Sequence, residues 1–402
     1  AALERSDEQG TKILVTGPTP AGAARHTNVD DRQRADIAAY LEHGGGENLV
    51  ALLHYVAHAW AGRAVAVPPL VKTPRSGYFY LGGSLFDTRE SFEREVAQRG
   101  PALPADAPRV ALIAALLNPR EPFHRGPLDA LIHSFQRQGI RVYPLFGRDE
   151  TPRLLQEVQP DLVVTLPHGR LAADNALPPL LAELDVPVLT GLSLGTSVAE
   201  WEQSERGMDG GRLSQSVTMP ELDGAIEPFT LVSDELNDRS LRVPQAIEER
   251  IERFTRRAAR WLALRRKPNA DKRVVIVYYK APGLASLSAA GLEVGPSLWN
   301  LLRRLEQEGY DLGGALPDSP EALFDLIQQK GKTLGQWALG SYEEFLAAAE
   351  PEFVPATQYL QWLQRDLSEK RRQEIVQLWG PPPGKAMAAE RDGQPCLVVS
   401  RI

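Results

Sequence analysis

The sequence predicts a multidomain α/β protein, and three observations carry that prediction. Between residues 109 and 189, short, wholly apolar runs alternate with amphipathic ones, which is the order of a parallel sheet covered by helices. A second apolar, β-branched run, Arg273–Tyr279, is followed by helical periodicity and reads as the start of another such unit. At 402 residues the chain is also longer than one ordinary domain core. The expected architecture is therefore Rossmann-like parallel α/β units with a mixed α+β N-terminal region and peripheral helices.

In chain order, Lys12–Thr16 reads as a short strand. Asp30 or Asp31 caps a helix running to about His43, Gly44-Gly45-Gly46 breaks it, and a second helix follows from Glu47 to Trp60. Thr73–Gly83 is extended and Tyr-rich, and residues 101–108, with three prolines, have linker composition. Then come strand Arg109–Leu117, helix Leu128–Gln138, strand Arg141–Phe146, helix Pro152–Val158, strand Leu162–Leu166, helix Leu177–Leu184 and strand Val186–Leu189. Residues 244–267 read as one long helix with Ile247, Ile251, Phe254, Ala258, Trp261 and Leu262 at helical spacing. Its basic end (Arg256, Arg257, Arg260, Arg265, Arg266, Lys267) suits the helix dipole or an anion. Helices are expected at Ser297–Glu308, Asp318–Gln329 and within 335–380, and a terminal strand at Gln394–Ser400 that risks lacking a partner. The domains are then an N-terminal mixed α/β head region, 1–104, a Rossmann-like α/β domain, 105–243, and a long linking helix plus a second α/β unit, 244–402, truncated at its C-terminus.

Composition narrows the function classes. A net charge of −7 argues against a general nucleic-acid binder, whose footprint is basic. The single cysteine, Cys396, excludes an internal disulfide and a thiolate zinc site within one chain. No apolar run reaches the roughly 20 residues that span a bilayer, and no leader is visible, so a cytoplasmic protein is expected. Ala1 and the abrupt end at Ile402 both read as cuts, which leaves room for a lost leader or anchor.

Three segments carry candidate chemistry. Tyr279-Lys280-Ala281-Pro282-Gly283 follows a predicted strand, where a loop and a helix start favour anions; Lys280 would add a point charge for a carboxylate or phosphate. Ordinary loop geometry is the competing reading. Leu166-Pro167-His168-Gly169-Arg170 also follows a predicted strand. It offers an imidazole for a metal or a proton and a guanidinium for a carboxylate, against a structural histidine. Pro220-Glu221-Leu222-Asp223-Gly224 holds two carboxylates that an extended chain would point to one face, or it is a turn. His54 and His58 have metal-compatible helical spacing but read as packing residues. No Gly-x-Ser-x-Gly elbow or Walker loop is present.

These segments, in this order, resemble the large subunit of cobaltochelatase, the CobN type, a relative of the magnesium chelatase large subunit. The resemblance runs from Ala39-Tyr40-Leu41 and Gly46-Glu47-Asn48-Leu49, through Leu166–Ala172, Glu200-Trp201-Glu202, Gly207-Met208 and Met219–Ile226. It continues over Lys267–Val274, Tyr278–Gly283, Ala290–Val294, Pro296-Ser297-Leu298 and Gly309-Tyr310. It implies a subunit that binds hydrogenobyrinic acid a,c-diamide and takes Co(II) as the metal to be inserted, in cobalamin biosynthesis. It also implies two AAA+ partner subunits that carry the ATP and Mg. In that setting His168, Glu221 and Asp223 are the catalytic candidates, for proton handling or metal delivery. Arg170, Lys280 and Gly283 are the substrate-binding ones. Lys280 stands where many relatives have Asn, and the family's later His-Gly-rich, Glu-containing segment is missing from this sequence. The alternatives are a magnesium chelatase large subunit binding protoporphyrin IX and a non-catalytic α/β small-ligand module.

Overall fold

The computed structural model describes residues 11–15, 27–172, 176–277, 291–330, 351–385 and 387–399, and the backbone of 279–280 and 287–288. The chain divides into two units, Ala1–Arg266 and Lys267–Ile402.

In the first unit residues 11–15 form no regular element; Ile13 exchanges hydrogen bonds with Asn28 instead. Helix α1 (Asp31–His43) starts where the Asp30 carboxylate accepts the Gln33 N–H at 2.8 Å. Gly44 and Gly45, at φ +58° and +83°, turn the chain directly into α2 (Gly45–Ala59). Strands β1 (Gly77–Tyr80) and β2 (Ser84–Phe86) and helix α3 (Arg89–Arg99) follow. Next come β3 (Arg109–Ala114), α4 (Arg125–Arg137), β4 (Arg141–Phe146), α5 (Thr151–Val158) and β5 (Leu162–Leu166). The unit continues through α6 (Leu177–Leu184), β6 (Val188–Ser193), α7 (Val198–Gln203), β7 (Ala225–Leu236), β8 (Arg242–Ala246) and α8 (Glu248–Arg266).

All eight strands form one sheet in the order β2-β1-β4-β3-β5-β6-β7-β8. The five central strands, β4-β3-β5-β6-β7, are parallel. In β3, β4, β5 and β6 the runs of Val, Leu and Ile are buried on both faces, as strands between two helical layers must be. Strand β3 lies between the strands that follow it, so the chain winds first to one side and then to the other. The winding reverses between β3 and β5, a topological switch point. Antiparallel pairs, β1–β2 and β8, flank the parallel block.

The helices are held by apolar stripes. Helix α4 buries Leu128, Leu131, Ile132 and Phe135, an i, i+3, i+4, i+7 set. Helix α8 buries Ile251, Phe254, Thr255, Ala258 and Leu262. The two meet at a buried Ser134–Thr255 hydroxyl contact of 2.8 Å.

The expected domain limits therefore shift. Residues 1–104 and 105–243 are one unit, because β1 pairs with β4 and the stretch around 101–108 lies against it: Pro104 C=O accepts from the Arg141 guanidinium at 3.0 Å. The long helix is no linker. It starts at Glu248, after residues 242–246 have formed β8, and its stripe packs on this sheet and on α4. The boundary falls at Arg266/Lys267, not at 243/244. A free linker would be polar all round, whereas this stripe must be buried.

The second unit differs more from expectation. Residues 272–277 form neither helix nor strand, and Val275 and Val277 are exposed. Beyond them β9 (Tyr279–Lys280) pairs antiparallel to β10 (Leu287–Ser288). The run Arg273–Tyr279 is thus not a buried parallel strand among the described residues: apolar content marks strand propensity, but a strand needs neighbours for its N–H and C=O groups. Helices α9 (Val294–Gln307) and α10 (Pro320–Lys330) pack together, and Trp299 Nε1 donates to Pro317 C=O at 2.8 Å. Strand β11 (Glu352–Pro355), helices α11 (Ala356–Asp366) and α12 (Glu369–Trp379), and strands β12 (Ala388–Arg391) and β13 (Gln394–Val399) close the unit. Strand β13 is central in the antiparallel order β11-β13-β12, so the feared unpartnered strand is paired on both sides.

Candidate functional site at the switch point

In open α/β sheets ligands bind beyond the carboxyl ends of the strands, above all where the winding reverses. The segment after β5, Pro167-His168-Gly169-Arg170-Leu171-Ala172, stands there. Leu116 N–H, from the loop after β3, donates to Leu166 C=O at 2.8 Å and ties the two strand ends together. His168 is exposed, while Pro167, Gly169, Leu171 and Ala172 are buried. An imidazole thus stands clear on an otherwise sunken loop. Gly169 has φ +86°, which any side chain would strain.

The loop is clamped from below by residues 210–223. A helical turn, Gly210–Leu213, passes into a π-helical turn, Ser214–Thr218, and back into Met219–Glu221. Asp223 is buried. Its Oδ1 accepts from Arg170 Nε at 2.7 Å and lies 2.5 Å from Arg170 Nη2; its Oδ2 accepts the Leu171 N–H at 2.8 Å. The carboxylate holds the Arg170 guanidinium in its charged form, raising its pKa. Gly169 N–H donates to Gln215 C=O at 2.8 Å.

Two expectations change here. Glu221 and Asp223 do not share a face, because the segment turns: Asp223 N–H reaches Pro220 C=O and Gly224 N–H reaches Glu221 C=O, both at 3.0 Å. Residues two apart in a helical turn diverge, so Glu221 is exposed and Asp223 points inward. Asp223 is therefore a buried ion-pair partner and not an accessible proton acceptor. Arg170, 31% exposed at its side chain, is oriented by its ion pair with Asp223.

Other groups at the same sheet end were not singled out in the sequence. Arg148, after β4, donates to Ala172 C=O at 3.2 Å, and Arg212 donates to Leu194 C=O, after β6, at 2.6 Å. His124, after β3, accepts the Asn118 N–H on Nδ1 at 2.9 Å. Burial lowers its pKa, against the pull of Glu121 and Asp234. Lone arginines and a histidine near prolines leave no distinctive spacing; only the position of these loops after buried strands could have pointed to them. At α7, Ser197 and Glu200 form a capping box, and Arg242 holds the Glu200 carboxyl down to about 2.

The remaining candidates stand apart. Lys280 lies in β9 of the second unit, and Gly283 lies outside the described residues. His54 and His58 each place Nδ1 on a carbonyl, of Ala66 at 2.8 Å and Arg63 at 3.2 Å, which ties α2 to the following chain. Among the described residues, no three or more His, Cys, Asp or Glu side chains are grouped to hold a metal.

The comparisons with known proteins agree with this architecture. The solved structure of the catalytic subunit of cobaltochelatase from Mycobacterium tuberculosis superposes with a TM-score of 0.68 at 24% identity, covering 100% of this chain and 33% of that one. A magnesium-chelatase subunit from Chlorobaculum parvum is 27% identical over 303 residues, 70% of this chain and 23% of the relative. An aerobic cobaltochelatase subunit CobN from a Sinorhizobium species is 26% identical over 322 residues, 74% of this chain and 24% of the relative. The chain thus spans about a quarter of the length of these two relatives. The family described as CobN/Magnesium Chelatase matches residues 38–402, nearly the whole length, and to that family the chain belongs.

Proposed function

We propose that this chain forms part of the tetrapyrrole-binding large subunit of a metal chelatase, with its first unit contributing the His168 loop to the macrocycle site. The supporting observation is the exposed imidazole on a clamped loop at the switch point of a doubly wound sheet. Metal insertion requires two pyrrole N–H protons to leave and the ion to shed water. His168 is the base offered to those protons, Glu221 is an exposed carboxylate that passes them on or receives the hydrated ion, and the positive charge of Arg170 attracts a peripheral carboxylate of the ring. Lys280 and Gly283 belong to the same proposal as anion-binding positions of the second unit.

The substrate proposed is hydrogenobyrinic acid a,c-diamide with Co(II) as the inserted metal. Two AAA+ subunits would supply ATP hydrolysis with their own Mg, in the cytoplasm. No helix among the described residues is long and apolar enough to cross a membrane. Relatives named for cobalt and for magnesium stand at 26% and 27% identity, so protoporphyrin IX with magnesium is the second reading. Titrating the protein with each ring while following tryptophan fluorescence tests both. The corrin precursor should quench at lower concentration than protoporphyrin IX, and His168→Ala should weaken binding about tenfold. Quenching by neither ring would remove the proposal.

A further inference from the structure

The π-helical turn has a cause in the sequence and a consequence for the loop above it. In the π register each carbonyl accepts from the N–H five residues on. Met219 N–H follows this rule and bonds to Ser214 C=O. The next carbonyl, of Gln215, would take its hydrogen from residue 220, which is a proline and has none. That acceptor is left to the Gly169 N–H, which fills it at 2.8 Å. Five residues past the π turn the chain closes at Asp223, whose two oxygens bind Arg170 Nε and the Leu171 N–H. Gly169, Arg170 and Leu171, the three residues that follow His168, are therefore all fixed to one helical segment 46 to 53 positions away in sequence (169 to 215, 170 to 223).

We infer that Asp223 and Pro220 are positioning residues for His168: Asp223 by direct bonds, Pro220 by withholding an N–H so that Gln215 C=O is free for Gly169. This rests on the proposed role of His168 in tetrapyrrole binding. Neither residue needs to touch the ring. Their work is to remove the freedom of the loop, so that the imidazole is presented in one place before the ligand arrives.

The test uses the whole chain, with protoporphyrin IX and the corrin precursor as probes. Amide exchange comes first. Gly169 and Leu171 should be protected in the wild type. Pro220→Ala, which restores a competing N–H, should release Gly169; Asp223→Asn should release Leu171; and both variants should still unfold in a cooperative thermal transition. In ring titrations each should weaken binding about tenfold. The decisive variant is the double one: Asp223→Asn should add nothing in a His168→Ala background, because a residue acting through His168 has nothing left to position. A full additive loss in the double variant would mean that Asp223 acts on binding by another route and would overturn the inference. So would wild-type affinity in Pro220→Ala and Asp223→Asn beside weakened His168→Ala, while leaving the proposed function in place. If His168→Ala itself binds like the wild type, the positioning role falls together with the site. If no ring binds the wild type, the proposed function has failed.

Discussion

His124 shows how one ring reports on its surroundings. Its Nδ1 lone pair accepts the Asn118 N–H, so this nitrogen cannot also carry a proton, and burial further disfavours the charged form. The folded-state pKa is lowered from the ordinary 6.5. As pH falls, the unfolded chain therefore takes up the proton first. The stabilisation is complete above the ordinary imidazole value and is lost as pH drops through the folded one. The melting temperature should fall as pH drops below the ordinary imidazole value of about 6.5, and His124→Asn should flatten that dependence. An unchanged slope in thermal melts at stepped pH would dismiss this assignment. The same scale explains what stayed hidden in the sequence. That Asp223 is a latch depends on Arg170, 53 residues away; side by side with Glu221 on paper, the two carboxylates look equivalent. His168 was visible because a histidine following a buried strand has only one place to go, the sheet edge.

Among the elements, those whose burial is complete were the most legible. Strands β4 and β5 and helix α6 occupy the spans read from the sequence, Arg141–Phe146, Leu162–Leu166 and Leu177–Leu184. Strand β6 begins two residues later than expected and runs on to Ser193. The run 273–279 misled because its composition says strand while pairing is decided elsewhere. A signal was also missed: Asp392 and Gly393, both at positive φ, make the tight turn between β12 and β13, and Asp-Gly between two strand-like runs is a strong hairpin mark. Helix α8 offers the sharpest energetic test. Phe254 is buried, with ring centroids 6.5 Å from Phe135 and 6.0 Å from Phe229. Phe254→Ala should cost about 3–5 kcal/mol, measured by denaturant unfolding of the first unit. A loss below about 1 kcal/mol would mean that the helix is only loosely docked.

For the molecule as a whole, the placement of α8 decides where the first unit ends. A fragment of residues 1–266 should unfold in one cooperative transition by calorimetry, because it retains every strand of the sheet and both buried helix stripes. A fragment of residues 1–243 loses α8 and most of β8, exposes the apolar surface they cover, and should show no such transition. Equal cooperativity in the two would restore the boundary at 243/244. The fold class was readable because the alternation of buried runs and amphipathic helices is periodic. The merging of the head region with the sheet was not, since β1 pairs with a strand more than sixty positions downstream (Tyr78 with Leu145).

The flanks of that sheet have a further consequence. Its outer strands are β2, three residues long, and β8, which carries Pro244. A short margin gives an incoming chain little to align on, and a proline offers no N–H. The first unit is thus guarded sideways against polymerising strand by strand, even though its centre is rich in the β-branched sequence from which fibrils are made. Encounters with other molecules are left to its loops and helices, where recognition depends on particular side chains and not on the backbone that every protein shares.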